Sequence, residues 1–504
     1  MNYRSATIFL LLGLAVFRAG YILWGPFDVS PDEAHYWEWS RRLDLSYYSK
    51  GPGVAYVIAL FTSIFGHNEF GIRIGAVLFS AAASVALYLL GKTLFGSDRV
   101  GFYSALVANI TPIFSVGSIL MTTDIMLVFF WAAASLCVYI GATTNRSSFW
   151  YAGGGLIGLG FLSKYTMVLL IPCLLLFFLA SKDERRWFKR REPYIAGLIS
   201  LALATPVILW NILNGQVTIR HTMGQAHLGE GGLSIADALE FMAAQAALLM
   251  PLVFAAAVYG VWMALVRGLR EKRGELLFVF CTSAPLFIFF AVKSLHGKVQ
   301  ANWAVAAFVT AFPAAVWAVE RLYERKRRAV AFLTAAAIVM GVAASILTYF
   351  PWLLEPLGAK KILSGPPYNR VTGWAELGKS VSSIRKEMSG PVEAGEPFII
   401  SDTYQIASEL ALYTEGNPVV YNANTGGRRM NQYDLWPGPE GLEGQSAVYV
   451  KDGDAALDPE VKDAFGSCDK ELVTVSWAGR PLRKFTAYRC YGFKGFETGR
   501  IQSY

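Results

Sequence analysis

A succession of long apolar segments, separated by short polar and basic loops, constrains this chain more than any other feature of its sequence. A bilayer core about 30 Å thick is crossed by roughly 20 apolar residues in a helix. Stretches of that kind fall near residues 6–24, 70–91, 101–119, 124–141, 149–163, 165–181, 194–212, 237–266, 275–292, 302–319 and 329–350. Apolar residues fill 54% of the positions and charged residues only 16%, which excludes an ordinary soluble globule. The pattern predicts a mainly α, polytopic membrane protein with about eleven transmembrane helices. Ala6 to Trp24 reads as a retained first span rather than a cleaved leader. Gly53 to Gly66 is apolar but too short to cross, and is expected as a helix lying in the membrane interface.

The basic residues set an orientation. Arg4, Lys92, Arg99, Arg146, the run Lys182–Arg191, the run Arg267–Arg273, Arg321 and Arg325–Arg328 gather on one side, which is therefore cytoplasmic. The opposite side holds fewer, among them Arg41, Arg42, Lys50, Arg73, Lys164, Arg220, Lys293 and Lys298. The net charge of +8 thus follows topology and does not indicate a nucleic-acid partner. With the N-terminus inside and an odd number of spans, the loop around residue 32 and the C-terminus lie outside, in the periplasm of a Gram-negative cell.

Residues 1–350 are expected to form the transmembrane domain. From Pro351 to Tyr504, Gly, Pro and charge become frequent and no apolar run is long enough to span, which predicts a separate soluble α/β domain. Strands are expected at Pro397–Ser401, Ala447–Lys451, Leu472–Trp477 and Phe485–Tyr491, with a helix over Ile406–Tyr413. Cys137, Cys173 and Cys281 lie in apolar spans, whereas Cys468 and Cys490 lie in this polar part, where an oxidising compartment allows a disulfide.

The chemistry concentrates on the outer side. Ser30-Pro31-Asp32-Glu33 is a helix start: Ser caps, Pro suits the first position, and Glu at the third returns a hydrogen bond to the cap's amide. Glu33 therefore has a structural task, while Asp32 shares a helix face with His35, Tyr36 and Trp39, a stripe suited either to a sugar or to an interfacial aromatic belt. In Tyr47-Tyr48-Ser49-Lys50, the lysine beside two tyrosines suits either a phosphate or the lipid headgroups. Asp124 opens a span after two threonines, as an acid in a first turn often does. Lys164 interrupts two apolar segments, an ionisable group in a costly place. The loop Lys293–Trp303 adds Lys298 and Asn302. His221, His227 and Glu230 lack the spacing of a metal site and read as solvated loop residues.

In these stretches, Pro31–Ser40, Tyr47–Pro52, Thr123-Asp124, Gly160–Lys164 and Gly297–Trp303, the chain resembles the integral-membrane GT-C glycosyltransferases that use lipid-phosphate sugars. These comprise the protein O-mannosyltransferases, the lipid A aminoarabinose transferase and bacterial galacturonosyl transferases of the lipopolysaccharide core. The resemblance implies Asp32 as catalytic base. It implies donor or acceptor binding by Glu33, His35, Tyr36, Tyr48, Lys50, Asp124, Lys164, Lys298 and Asn302, with Lys50, Lys164 and Lys298 as phosphate clamps. The family's Lys-Pro-Pro is Lys50-Gly51-Pro52 here, which departs from the rigid pattern.

The implied reaction moves a sugar from a polyprenyl phosphate to a lipid or protein acceptor, with inversion at the anomeric carbon. No nucleotide-cradling loop is present, no cofactor is called for, and a divalent metal stays open. The rival expectation is a transporter or flippase of lipid-linked sugars with a periplasmic sensor domain. Transporters, however, hold their ionisable groups near the bilayer midplane, whereas the acids here gather at outer helix ends.

Overall fold

Helix follows the apolar segments through the first 350 residues of the computed structural model, which describes residues 2–226, 232–357, 365, 368–389, 396–425, 427–477 and 480–496. Among the described residues, seven helices are long and apolar enough to cross a membrane. They are Tyr3–Trp24, Glu69–Phe95, Thr123–Thr144, Glu192–Leu213, Pro251–Glu271, Gly274–Lys293 with its following turn, and Arg327–Tyr349.

Backbone chemistry redraws three of the expected spans. The 101–119 segment divides into Asp98–Ile110 and Pro112–Gly117, because Pro112 has no N–H to continue the ladder. The 237–266 segment divides into Ile235–Leu249 and Pro251–Glu271 at Met250, which takes the left-handed φ of 68° just before a proline that begins the next helix. The 302–319 segment begins late: Ala301–Ala304 is a 3-10 turn, and the α-helix runs from Ala307 to Arg325 with charge in its last turns. His227 and Glu230 lie outside the described residues.

The loop after the first span covers one end of this bundle. It holds the short helix Pro31–Ser40, here the site helix, and the apolar helix Gly53–Phe65. Gly51 lies between them, where a Cβ would fall 2.1 Å from the Leu162 carbonyl oxygen; one on Gly53 would fall 3.0 Å from the same oxygen. The departure from Lys-Pro-Pro therefore has a packing reason: only glycine lets the backbone beside Lys50 lie on the end of helix Ser147–Ser163.

Five strands follow: β1 (Phe398–Ser401), β2 (Val420–Asn422), β3 (Ala447–Asp452), β4 (Ser467–Trp477) and β5 (Arg480–Tyr491), in the order β2-β1-β3-β5-β4. β1 is parallel to β2 and β3, and β5 is antiparallel to β3 and β4. β2 was not expected, since three residues are too few to show alternation. Cys468 and Cys490 are register partners across β4 and β5 and form a disulfide. Helix Tyr404–Tyr413 packs against the site helix and so joins the sheet to the membrane part.

Gly51→Ala is expected to destabilise the protein by about 1–3 kcal/mol, the usual cost of forcing atoms into packed space. Thermal melting of the purified variant in detergent checks this, and an unchanged midpoint would show that the loop tolerates separation from Leu162.

Candidate active site

The site is built on one buried ion pair. Glu33 is fully buried, and Arg73, from helix Glu69–Phe95, meets it through Nε at 3.0 Å and Nη2 at 2.9 Å. Arg73 also donates to the carbonyls of Phe27 at 3.0 Å and Asp28 at 2.7 Å. Glu33 accepts the Met121 N–H at 2.9 Å and both the N–H and hydroxyl of Ser30 at 3.0 Å. A carboxylate so fully engaged has no oxygen to offer a sugar. Its expected binding role gives way to a structural one, the helix-start task joined to a bridge between segments.

Beside it, Asp32 keeps about half of its side chain open, with 50% exposed, and lies 3.7 Å from Arg370 Nη2. Loss of water from the recess raises its pKa above the usual carboxylate range; Arg370 and Lys50 pull it back, while Glu33 and Asp124 push it up. Lys50 is itself pushed down to about 8, first by burial and then by Lys164, against the attraction of Asp124 and Asp32.

Lys164 caps the end of helix Ser147–Ser163 and is buried, with an ion pair to Asp124. Asn302 donates to the other oxygen of Asp124 at 2.9 Å. Asp124 thus holds Lys164 and Asn302 in place. Buried Tyr36 completes the group, within electrostatic reach of Asp32, Asp124 and Tyr404. The fold therefore brings Asp32, Tyr36, Lys50, Asp124, Lys164 and Asn302 to one place.

Three other expected residues point elsewhere. His35 is buried against the C-terminal part, between the Ser408 hydroxyl at 3.1 Å and the Trp39 indole N–H at 3.2 Å. Burial lowers its pKa to about 3, so it is a neutral packing residue. Tyr48 is buried with its ring on His221, centroids 4.7 Å apart. Lys298 is 78% exposed and faces Glu240 at 3.6 Å, whereas Asn302 of the same loop reaches the cluster through Asp124.

Arg370 and Tyr404 were not anticipated: both come from the polar C-terminal part, where nothing local marks them. Arg73 had a usable signal, an arginine within an apolar segment, which calls for a buried partner. Among the described residues no group of three or more His, Cys, Asp or Glu side chains is arranged to hold a metal ion.

Residues 49–210 match the family described as dolichyl-phosphate-mannose-protein mannosyltransferase. Lipid A galacturonosyltransferase RgtD of Rhizobium johnstonii is 30% identical over 412 residues, covering 81% of this chain and 82% of that protein. The undecaprenyl phosphate-alpha-4-amino-4-deoxy-L-arabinose arabinosyl transferase 2 of Proteus mirabilis is 24% identical, covering 58% of this chain and 56% of its own. Among solved structures, ArnT from Cupriavidus metallidurans superposes with a TM-score of 0.66 at 15% identity, over 96% of this chain and 98% of that one. The oligosaccharyltransferase of Archaeoglobus fulgidus gives 0.54 at 13% identity, over 94% and 74%.

Fold and relatives together define an integral-membrane glycosyltransferase of the GT-C class, a protein of the bacterial inner membrane. Within that class the chain belongs to the family of lipid A galacturonosyltransferase RgtD.

Glu33→Ala leaves Arg73 buried without its carboxylate and is expected to cost about 3–5 kcal/mol. The measurement is a thermal melt alongside single-turnover rates on the surviving folded fraction. A lowered rate with an unchanged melt would assign Glu33 to the chemistry instead.

Proposed function

We propose that the protein transfers a galacturonosyl residue from polyprenyl phosphate to a hydroxyl of lipid A or the lipopolysaccharide core at the periplasmic face of the inner membrane, with Asp32 as general base. The carrying observation is the half-open Asp32 carboxylate within electrostatic reach of Lys50, which in turn lies within reach of Lys164 and Asp124, in surroundings whose burial raises the pKa of the acid. In this reading residues 351–504 form an extracytoplasmic domain that supplies Arg370 and Tyr404 to the site.

The chemistry follows from those charges. The acceptor O–H gives its proton to Asp32 as its oxygen bonds to the anomeric carbon. The bond from that carbon to the phosphate oxygen breaks, and its electron pair leaves on the lipid phosphate. Lys50 and Lys164 meet the added negative charge, with Lys164 held by Asp124 so that little reorganisation is needed. Attack opposite the leaving phosphate inverts the configuration. Arg370 favours the ionised form of Asp32 against the burial that raises its pKa.

Purified protein given labelled polyprenyl-phosphate galacturonate and lipid A is expected to release lipid phosphate and form glycosylated lipid A. Asp32→Asn should lower this by about a hundredfold or more while melting normally. Movement of the donor across a bilayer without transfer would favour the transporter instead.

The pH profile gives a separate check. The base works deprotonated, so the rate rises as pH climbs through the raised Asp32 pKa; Arg370→Ala removes the largest lowering influence and moves that limb to higher pH. Lys50 is charged below about 8, so kcat/KM for the donor should decline above it. An acid limb unmoved by Arg370→Ala would show that a different group is the base.

A further inference from the structure

Lys50 has a second set of neighbours that the transfer step leaves unused. Helix Val217–Ala226 sets His221 against the Tyr48 ring. The segment 427–436 closes the same space: Gln432 Oε1 accepts the Tyr48 N–H at 2.7 Å, while Met430 and Leu435 pack on Tyr48, Trp210 and Val217. Of the adjacent arginines there, Arg428 is committed to Asp434 at 2.6 Å and to the Ala423 and Asn422 carbonyls. Arg429 is exposed and makes no ion pair among the described residues.

Among the described residues the charges that act on His221 are both positive: it lies within electrostatic reach of Lys50 and Arg429. Lys50 also feels Asp124 and Asp32, and Asp44 accepts the Trp210 indole N–H at 2.7 Å in the same cluster. Burial first, then those two cations, push its pKa down to about 4, so the ring is neutral at physiological pH. Its Nδ1 is buried and has no hydrogen-bond partner among the described residues. A buried polar nitrogen left unpaired costs free energy, and an anion beside it lessens both costs: it favours protonation of the ring, making both ring nitrogens donors, and it offsets the facing cations.

We propose that His221, Arg429 and Lys50 form a second anion subsite, which takes a carboxylate or phosphate carried by a substrate in addition to the donor's own lipid phosphate. The inference rests on the transfer reading above and names its specificity. Lys50 belongs to both places, so the two anions it would meet sit on neighbouring groups of one substrate or on two bound substrates. A uronic acid on a lipid phosphate has that form, with its carboxylate at the far end of the ring from the phosphate. An acidic group on the acceptor lipid is the other source of the same chemistry.

The test compares the full-length protein with Arg429→Met and His221→Ala, using undecaprenyl-phosphate galacturonate and undecaprenyl-phosphate galactose as donors. Arg429 is exposed, so its replacement keeps the fold. The ratio of kcat/KM for the acidic over the neutral donor is expected to fall about ten- to hundredfold, the range for a lost hydrogen bond to a charged group. A loss that is equal for both donors but disappears with an acceptor stripped of its acidic groups assigns the subsite to the acceptor. Losses that depend on neither donor nor acceptor charge overturn the proposal.

A measurement without turnover keeps the two readings apart. Galacturonate or glucosamine 1-phosphate, but not galactose, should protect His221 from diethylpyrocarbonate, read by peptide mass spectrometry, and Arg429→Met should remove that protection. Protection in a preparation that transfers no sugar would sink the transfer reading and leave the subsite standing. Equal labelling with all three sugars would overturn the subsite.

Discussion

The pairing of Glu33 with Arg73 is the constraint on which the outer surface depends. One carboxylate gathers the start of the site helix, the span Glu69–Phe95 and the turn at Met121, and the guanidinium adds the Phe27 and Asp28 carbonyls. Asp28 in turn accepts the Trp374 N–H at 2.7 Å, so the same knot reaches the C-terminal part. Two charges out of water are tolerable here because nearly every donor and acceptor they carry is used. The orientation of Asp32, one residue along the same helix, follows from where Glu33 is tied.

This arrangement gives adjacent carboxylates different physical lives. Glu33 is buried and saturated with partners, while Asp32 keeps an open side and has the looser Arg370 contact. Catalytic acids and bases are commonly separated from their structural neighbours in this way, by environment rather than by residue type. The C-terminal part is more than an appendage to that division, because Arg370 helps set the charge on Asp32 and Tyr404 lies within electrostatic reach of Asp32 and Tyr36.

Much of this could be read from the chain, and the failures have physical causes. The helix start at Ser30 and the fate of Glu33 follow from local hydrogen-bonding rules, which act within four residues. Lys164 was visible as an ionisable group in a costly place, Asp124 as an acid in a first turn and Asn302 as an amide in a polar loop, though not as a single hydrogen-bonded set. The aromatic stripe misled: i and i+4 spacing put His35 and Trp39 on one face, as observed, but which neighbour covers that face is a tertiary matter, and helix Tyr404–Tyr413 covers it. Lys298 misled for the opposite reason, since a loop's topology does not fix which of its side chains turns inward. Span boundaries failed where Pro112, Met250 and Pro251 override hydropathy, a property that averages over windows and does not register a single backbone break.

The contact of Gly51 with Leu162 carries a consequence for how the proposed grip on a lipid phosphate would be encoded. Lys50 precedes the glycine and Lys164 follows Leu162 by two residues, so the spacing of the two backbones that carry these cations is set by main chain laid on main chain. Under the proposed transfer, the gap between them is gauged like a calliper, by an opening with no side chain in it. A survey that replaces only polar residues would pass over that position, and sequence drift at residue 51 would shift the two backbones relative to one another while every charged group stayed in place.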